Sequence, residues 1–263
     1  MAWLTSVPPG LLVAGWLAVA LIVAAAGRVA IRALVSPGDR DQVPAIAAPL
    51  MPALGAVFAV LMALTLASEA GYLHSAQDIV STEAEAATRL AWAATTPGVR
   101  TSAIHTALLT YVRAVRAHEW HGDAAAAGND PAVTDSIGAL EHAVRAEAAN
   151  PALGTPASTE LLAALDGITT SRRARISGAS RQIPVLYVTT LVVSGVALIA
   201  NASALTIRAS VRTSLLVAGL ACVVGLSIAL LFVLTAPWRG SLVVSGQPLD
   251  LVANDLQTGF FHL

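Results

Sequence analysis

The chain has 263 residues, 56% of them hydrophobic and 12% charged, with net charge −1 and mean hydropathy +0.71. Soluble domains carry about 25% charged residues, so a water-soluble enzyme with a single core is excluded. A disordered chain is excluded too, because such chains hold too few apolar residues to collapse. Nucleic acid is not expected as a partner, since that requires a basic face.

The charges avoid four stretches, 1–27, 42–68, 182–207 and 213–238. Each exceeds the roughly 20 apolar residues that a helix needs to cross a hydrocarbon layer. The first span is placed at about 11–33, after Pro8 and Pro9, where a missing N–H does no harm. Its positive charges, Arg28 and Arg32, follow the apolar run instead of preceding it, so it reads as an uncleaved span and not a signal peptide. Both can snorkel to headgroups. Ser36-Pro37-Gly38-Asp39 is a turn signal. The second span is placed at about 49–67, with Pro49 and Pro52 near its first turn, so residues 1–68 hold the first pair of spans.

Residues 69–182 have ordinary soluble composition and read as a helical extramembrane domain. Residues 77–94 are rich in Ala and Glu, and Thr96-Pro97-Gly98 ends that helix. Ile104, Ala107, Leu108, Tyr111, Val112 and Val115 recur at the three-and-four spacing of an amphipathic helix. Residues 122–130 read as a loop, and Ile137, Leu140 and Val144 mark a helix over 134–149. Ser158 is expected to cap a last helix with Leu161, Leu165, Ile168 and Ile176 on its stripe, and that helix could continue through Arg181. Residues 183–236 hold a third span (184–206) and a fourth (214–235), joined by a tight link with Arg208 and Arg212. The tail, 237–263, places Leu249, Val252, Leu256 and Phe260 on one helical stripe, fit either for the bilayer interface or for the helical domain. Only 242–244 suggests β structure.

All fifteen basic residues are Arg, and the single Cys222 leaves no internal disulfide. Arg28, Arg32, Arg40, Arg208 and Arg212 on the short loops balance Arg172, Arg173, Arg175, Arg181 and Arg239 opposite. The positive-inside rule discounts long domains, which leans toward cytoplasmic short loops. Ionisable groups within spans mark proton relays and ion-coupled transport, and the spans have none in their middles. Asn201 is their one strongly polar amide and could line a pore or bond a neighbouring helix. Gly55, Ala59, Ala63 and Ala67 repeat every four residues, a spacing that allows close helix approach within one subunit or between subunits. Arg172, Arg173, Arg175 and Arg181 could attract anions at a channel mouth or anchor to lipid phosphate.

His118-Glu119-Trp120-His121 could contribute metal ligands, but the three or four converging ligands of a zinc site are not in view. The plainer expectation is a helix end with Trp120 packed inward and Arg116 paired to Glu119. Without a nucleophile elbow or a phosphate-binding glycine loop, neither an enzyme nor a cofactor is expected.

Three segments resemble the bestrophin-like family of bacterial integral membrane proteins. The first is 110–120, with Tyr111, Glu119 and Trp120. The second is Arg172-Arg173-Ala174-Arg175-Ile176 followed by Ile183-Pro184, and the third is Pro237-Trp238-Arg239-Gly240. Trp238 stands where Phe is more usual in that family, and His121 replaces a Pro. The resemblance implies kinship to bestrophins, pentameric anion channels whose soluble helices are cytosolic, which would reverse the sidedness above. The acidic calcium-binding cluster of animal bestrophins has no counterpart here.

The sequence therefore describes an all-α, four-span (2+2) protein of the bacterial inner membrane, contacting lipid and forming a homo-oligomer. Its leading function is a passive anion pore. The rival is a membrane-anchored scaffold or sensor whose helical domain binds a ligand or an envelope protein; a transporter built on broken, charged helices is disfavoured.

Overall fold

A computed structural model describes residues 8–120, 122–181, 184–208, 211–234, 238 and 244–261, without the side chains of Pro9, Asp123, Val211, Arg212 and Thr213. The regular structure among the described residues is entirely helical, with no strand. Val244 is buried outside any strand, and 242–243 lie outside the described residues.

The chain forms two compact units, Met1–Gly71 with Gln182–Ala236, and Tyr72–Arg181 with Pro237–Leu263. The first holds α1 (Pro9–Leu34), the early part of α2 (Val43–Ala93), α7 (Val185–Leu205) and α8 (Val211–Leu234). All four helices are long and apolar enough to cross a membrane. The second unit holds the rest of α2, then α3 (Thr101–His118), α4 (Gly122–Ala127), α5 (Pro131–Ala148), α6 (Thr155–Ala179) and α9 (Gln247–Thr258).

Several boundaries differ from the sequence reading. α2 is one helix of 51 residues that starts at Val43, so Pro49 and Pro52 lie inside it and not in its first turn. No proline separates its apolar half from its Ala/Glu-rich half, which is why it does not stop at residue 67. α5 begins three residues early because Asp130 caps it, accepting from the Ala132 N–H at 2.9 Å, and Pro131 occupies its first position. Pro156 likewise starts α6 at Thr155, which puts Ser158 inside the helix, and the helix ends at Ala179 without running through Arg181. The expected loop at 122–130 contains the short α4.

In the spanning unit the core is formed by Ala20, Phe58, Met62, Leu191, Leu198, Ile199, Ala221, Val224 and Ile228. Trp16 stacks on Phe232 with centroids 5.1 Å apart. Two glycines allow the closest approaches. A Cβ on Gly225 would lie 2.9 Å from both the Trp16 carbonyl and the Ala20 methyl, and one on Gly195 would lie 2.9 Å from Val224 and 3.3 Å from the Phe58 ring. The backbone oxygen of Trp16 cannot rotate aside, so Gly225 sets the α1–α8 separation, a close-packing use of a small residue.

Gly225→Leu should therefore force α1 from α8 and lower stability by about 1–3 kcal/mol, the usual cost of overpacking. A thermal melt of the detergent-solubilised protein tests this; an unchanged melting temperature would mean that α1 and α8 do not pack this closely.

Candidate functional site

Four charged side chains meet inside the extramembrane unit. Glu83 lies on the apolar stripe of α2 with Val80, Ala87 and Leu90, and it is fully buried. Arg175 on α6 is fully buried as well, with Nε donating to Glu83 Oε2 at 2.7 Å and Nη2 reaching Glu119 Oε2 at 3.3 Å. Its Nη1 donates to the Glu119 carbonyl at 3.2 Å. Arg172, one turn earlier, donates to Glu119 Oε1 at 2.6 Å and to the Gly128 carbonyl at 3.1 Å. The Tyr111 hydroxyl donates to Glu83 Oε1 at 2.7 Å. Two Arg and two Glu balance in charge, and each carboxylate is held by more than one donor, the condition under which burying such a set is tolerable.

Aromatic rings close the cluster. Trp120 is buried, and its Nε1 donates to the Val244 carbonyl at 3.2 Å. Trp238 meets it edge-on at 5.6 Å. Arg116 lies 4.5 Å over the Trp120 ring and Arg175 lies 5.8 Å from it. Arg116 also grips Asp250 of α9 with two bonds, Nε to Oδ1 at 2.7 Å and Nη2 to Oδ2 at 2.9 Å.

The electrostatics follow from this geometry. Burial, reinforced by the Glu83 carboxylate, raises the Tyr111 pKa well above its ordinary value. Burial works against charge on Arg175, but Glu83, with further contributions from Tyr111 and Glu119, outweighs it, and the guanidinium is held charged. Outside the cluster, Glu147 is buried and accepts from the Arg100 N–H at 3.0 Å and from Arg100 Nε at 2.6 Å. The backbone bond, chiefly, lowers its pKa.

Arg172 and Arg175 therefore do not present an open basic patch to lipid or to an anion, because each is engaged with Glu119 and Arg175 also with Glu83. Arg173, between them, is exposed. Arg181 is exposed and stacks 4.5 Å over Tyr72, whose hydroxyl donates to the Gly178 carbonyl. The expected Arg116–Glu119 pair is not made; Glu119 turns to α6 and Arg116 to α9. Asn201 Nδ2 donates to the Ala47 carbonyl at 3.0 Å, a helix-to-helix bond. Ala59, Ala63 and Ala67 are exposed and Gly55 half-buried, with nothing within 4 Å of a Cβ on Gly55.

Pro184 caps the start of α7. Pro237, Gly240, Arg239 and His121 lie outside the described residues. His105 Nε2 lies 3.0 Å from the Ala91 carbonyl and His118 pairs with Asp130 at 3.6 Å, so these histidines do not converge. Among the described residues no group of His, Cys, Asp or Glu is placed to hold a metal. The tail helix packs on its own unit through Leu249, Val252 and Leu256. Phe261, not Phe260, is the buried aromatic, because the left-handed Gly259 ends the helix and changes the phase of the following residues.

Of the described residues that carried the resemblance, Glu119 bonds Arg172 and Arg175, Tyr111 joins them through Glu83, and Trp120 and Trp238 pack beside the cluster, whereas Arg173 is exposed and Pro184 lies at the start of α7. A family model, the bestrophin-like domain, matches residues 18–249. The chain belongs to the bestrophin-like family. No curated protein and no solved structure matches it. With its four apolar helices, this makes it a multi-pass membrane protein in contact with lipid.

Glu83 escaped the sequence reading, although a carboxylate on an otherwise apolar stripe was the available signal. Glu83→Gln should leave Arg175 without its main counter-charge and destabilise the extramembrane unit by about 3–5 kcal/mol. Truncating Trp120→Ala should cost about the same as a cavity. Chemical denaturation followed by tryptophan fluorescence, with circular dichroism for Trp120→Ala, measures both; a loss below about 1 kcal/mol for Glu83→Gln would remove the cluster as a stabilising centre.

Glu147 binds protons less readily in the folded chain than in the unfolded one. Its contribution to stability is thus present above the ordinary carboxylate range and is lost as the pH falls through that range and below it. Melting temperatures taken down an acid series should decline less steeply for Glu147→Gln than for the unmodified protein; parallel declines would contradict this assignment.

Proposed function

We propose that the protein is a non-enzymatic, homo-oligomeric pore of a bacterial plasma membrane, passively permeable to small anions. The surface of the four spans carries this reading. They are free of charge in their middles, and only 11–39% of each apolar window is buried within one chain. A cleft in the spanning unit is small, about 40 Å³, and lined by apolar side chains including Trp16, Val23, Val192 and Ile228. That cleft is not a polar route, and the pore reading places the route between copies. The exposed small residues of α2 favour close contact between them. Family membership supports the anion class by analogy with bestrophins.

A second reading is a membrane-anchored scaffold or sensor. It is favoured by the internal pairing of Arg172 and Arg175, which removes two of the charges that an anion-attracting mouth would use.

Purified protein in liposomes should pass chloride faster than empty liposomes, and Arg173→Gln should slow the flux if that exposed charge faces the route. Absence of flux from folded, inserted oligomers would favour the scaffold reading. Ala59→Leu should lower the oligomer mass in mild detergent; an unchanged mass would move the interface elsewhere.

A further inference from the structure

The early part of α2 departs from ideal helix in a specific way. Pro49 and Pro52 lack the N–H groups that would bond the carbonyls of Ala45 and Ala48, so two bonds of the ladder are missing within one short stretch. Each proline ring also presses on the preceding turn. The turns over residues 45–52 are therefore held by fewer ladder bonds than any other stretch of that helix.

Two contacts tie this stretch to the end of α7. Asn201 Nδ2 donates to the Ala47 carbonyl at 3.0 Å and lies 3.5 Å from Met51 Sδ. Arg208, just beyond α7, pairs with Asp41, just before α2. Both contacts join the same two chain ends. Asn201 meets the Ala47 carbonyl, which lies between the two carbonyls that the prolines leave without a ladder donor, so the interhelical bond falls on the interrupted turn itself.

We propose that residues 43–52 form a hinged segment, held in the position seen here by a two-point clasp, Asn201 on Ala47 and Arg208 on Asp41. The hinge is the prolines, and the clasp sets which way the segment lies. In the pore reading, on which this function of the hinge rests, release of the clasp alters conductance, since among the described residues of the four spans no other segment has two prolines within its helix.

Amide exchange of the full-length protein in lipid nanodiscs tests the hinge directly. Asn201→Ala and Arg208→Gln should each speed exchange over 43–53 by about five- to tenfold, the equilibrium equivalent of one lost hydrogen bond, and leave 54–66 unchanged. Pro52→Ala restores a donor to the ladder and should slow exchange over the same residues. It guards against a variant that merely unfolds. Unchanged exchange in the Asn201→Ala/Arg208→Gln pair would overturn the proposal, as would faster exchange along all of α2. Chloride flux read on the same samples separates the two ideas. Flux that differs between the clasp variants and Pro52→Ala supports the link to conductance. Equal flux despite altered exchange overturns that link, and zero flux in every form removes the pore reading while the exchange result still decides the hinge.

Discussion

The extramembrane unit depends on one buried guanidinium. Arg175 has no contact with solvent, and its charge is tolerable only because Glu83 and Glu119 approach it from α2 and from the end of α3. This requirement fixes more than stability. It sets the rotation of α2 about its axis, since Glu83 must face α6. It also ends α3 where Glu119 can reach both Arg172 and Arg175. A hydrophobic residue at position 175 would remove the cost of burying charge and with it the directional demands of a planar fork, which a Lys cannot reproduce either.

Around that fork the aromatic residues act as walls. Trp120 receives Arg116 on its face and Trp238 at its edge, and α9 follows into place through Asp250 and three aliphatic side chains. The spanning unit is organised by other means. There the close contacts are made by glycine at 195 and 225, and the amide of Asn201 serves a backbone carbonyl of a neighbouring helix. Hydrophobic burial gives little preference between helix and lipid inside a bilayer, so small residues and single amides decide how the helices lie.

Much of this was legible in the sequence. Four charge-free stretches announced the spans, and the three-and-four spacing of Ile104, Leu108, Tyr111 and Val115 announced the buried face of α3. The ends of helices were less legible, because α2 passes from apolar to polar composition without a proline between, while Asp130 with Pro131 and Gly154 with Pro156 started helices earlier than periodicity alone suggested. The partners of Arg172 and Arg175 were not legible. A run of arginines before a span reads equally well as lipid anchor, channel mouth or internal ion pair, and the choice depends on a glutamate some ninety residues earlier, Glu83. Periodicity shows which face a residue occupies; it does not show what lies across from it.

The cluster's parts are also far apart in time. Glu83, Glu119 and Arg175 leave the ribosome well before Trp238 and α9, and the third and fourth spans are made in between. Contacts of such wide sequence separation form late and slowly. The extramembrane unit therefore cannot complete its wall of tryptophans until all four spans have been synthesised. During that interval Trp120 and the part of α3 that meets α9 lack their cover, and a chain that stalls in its last span is left with an incomplete apolar core.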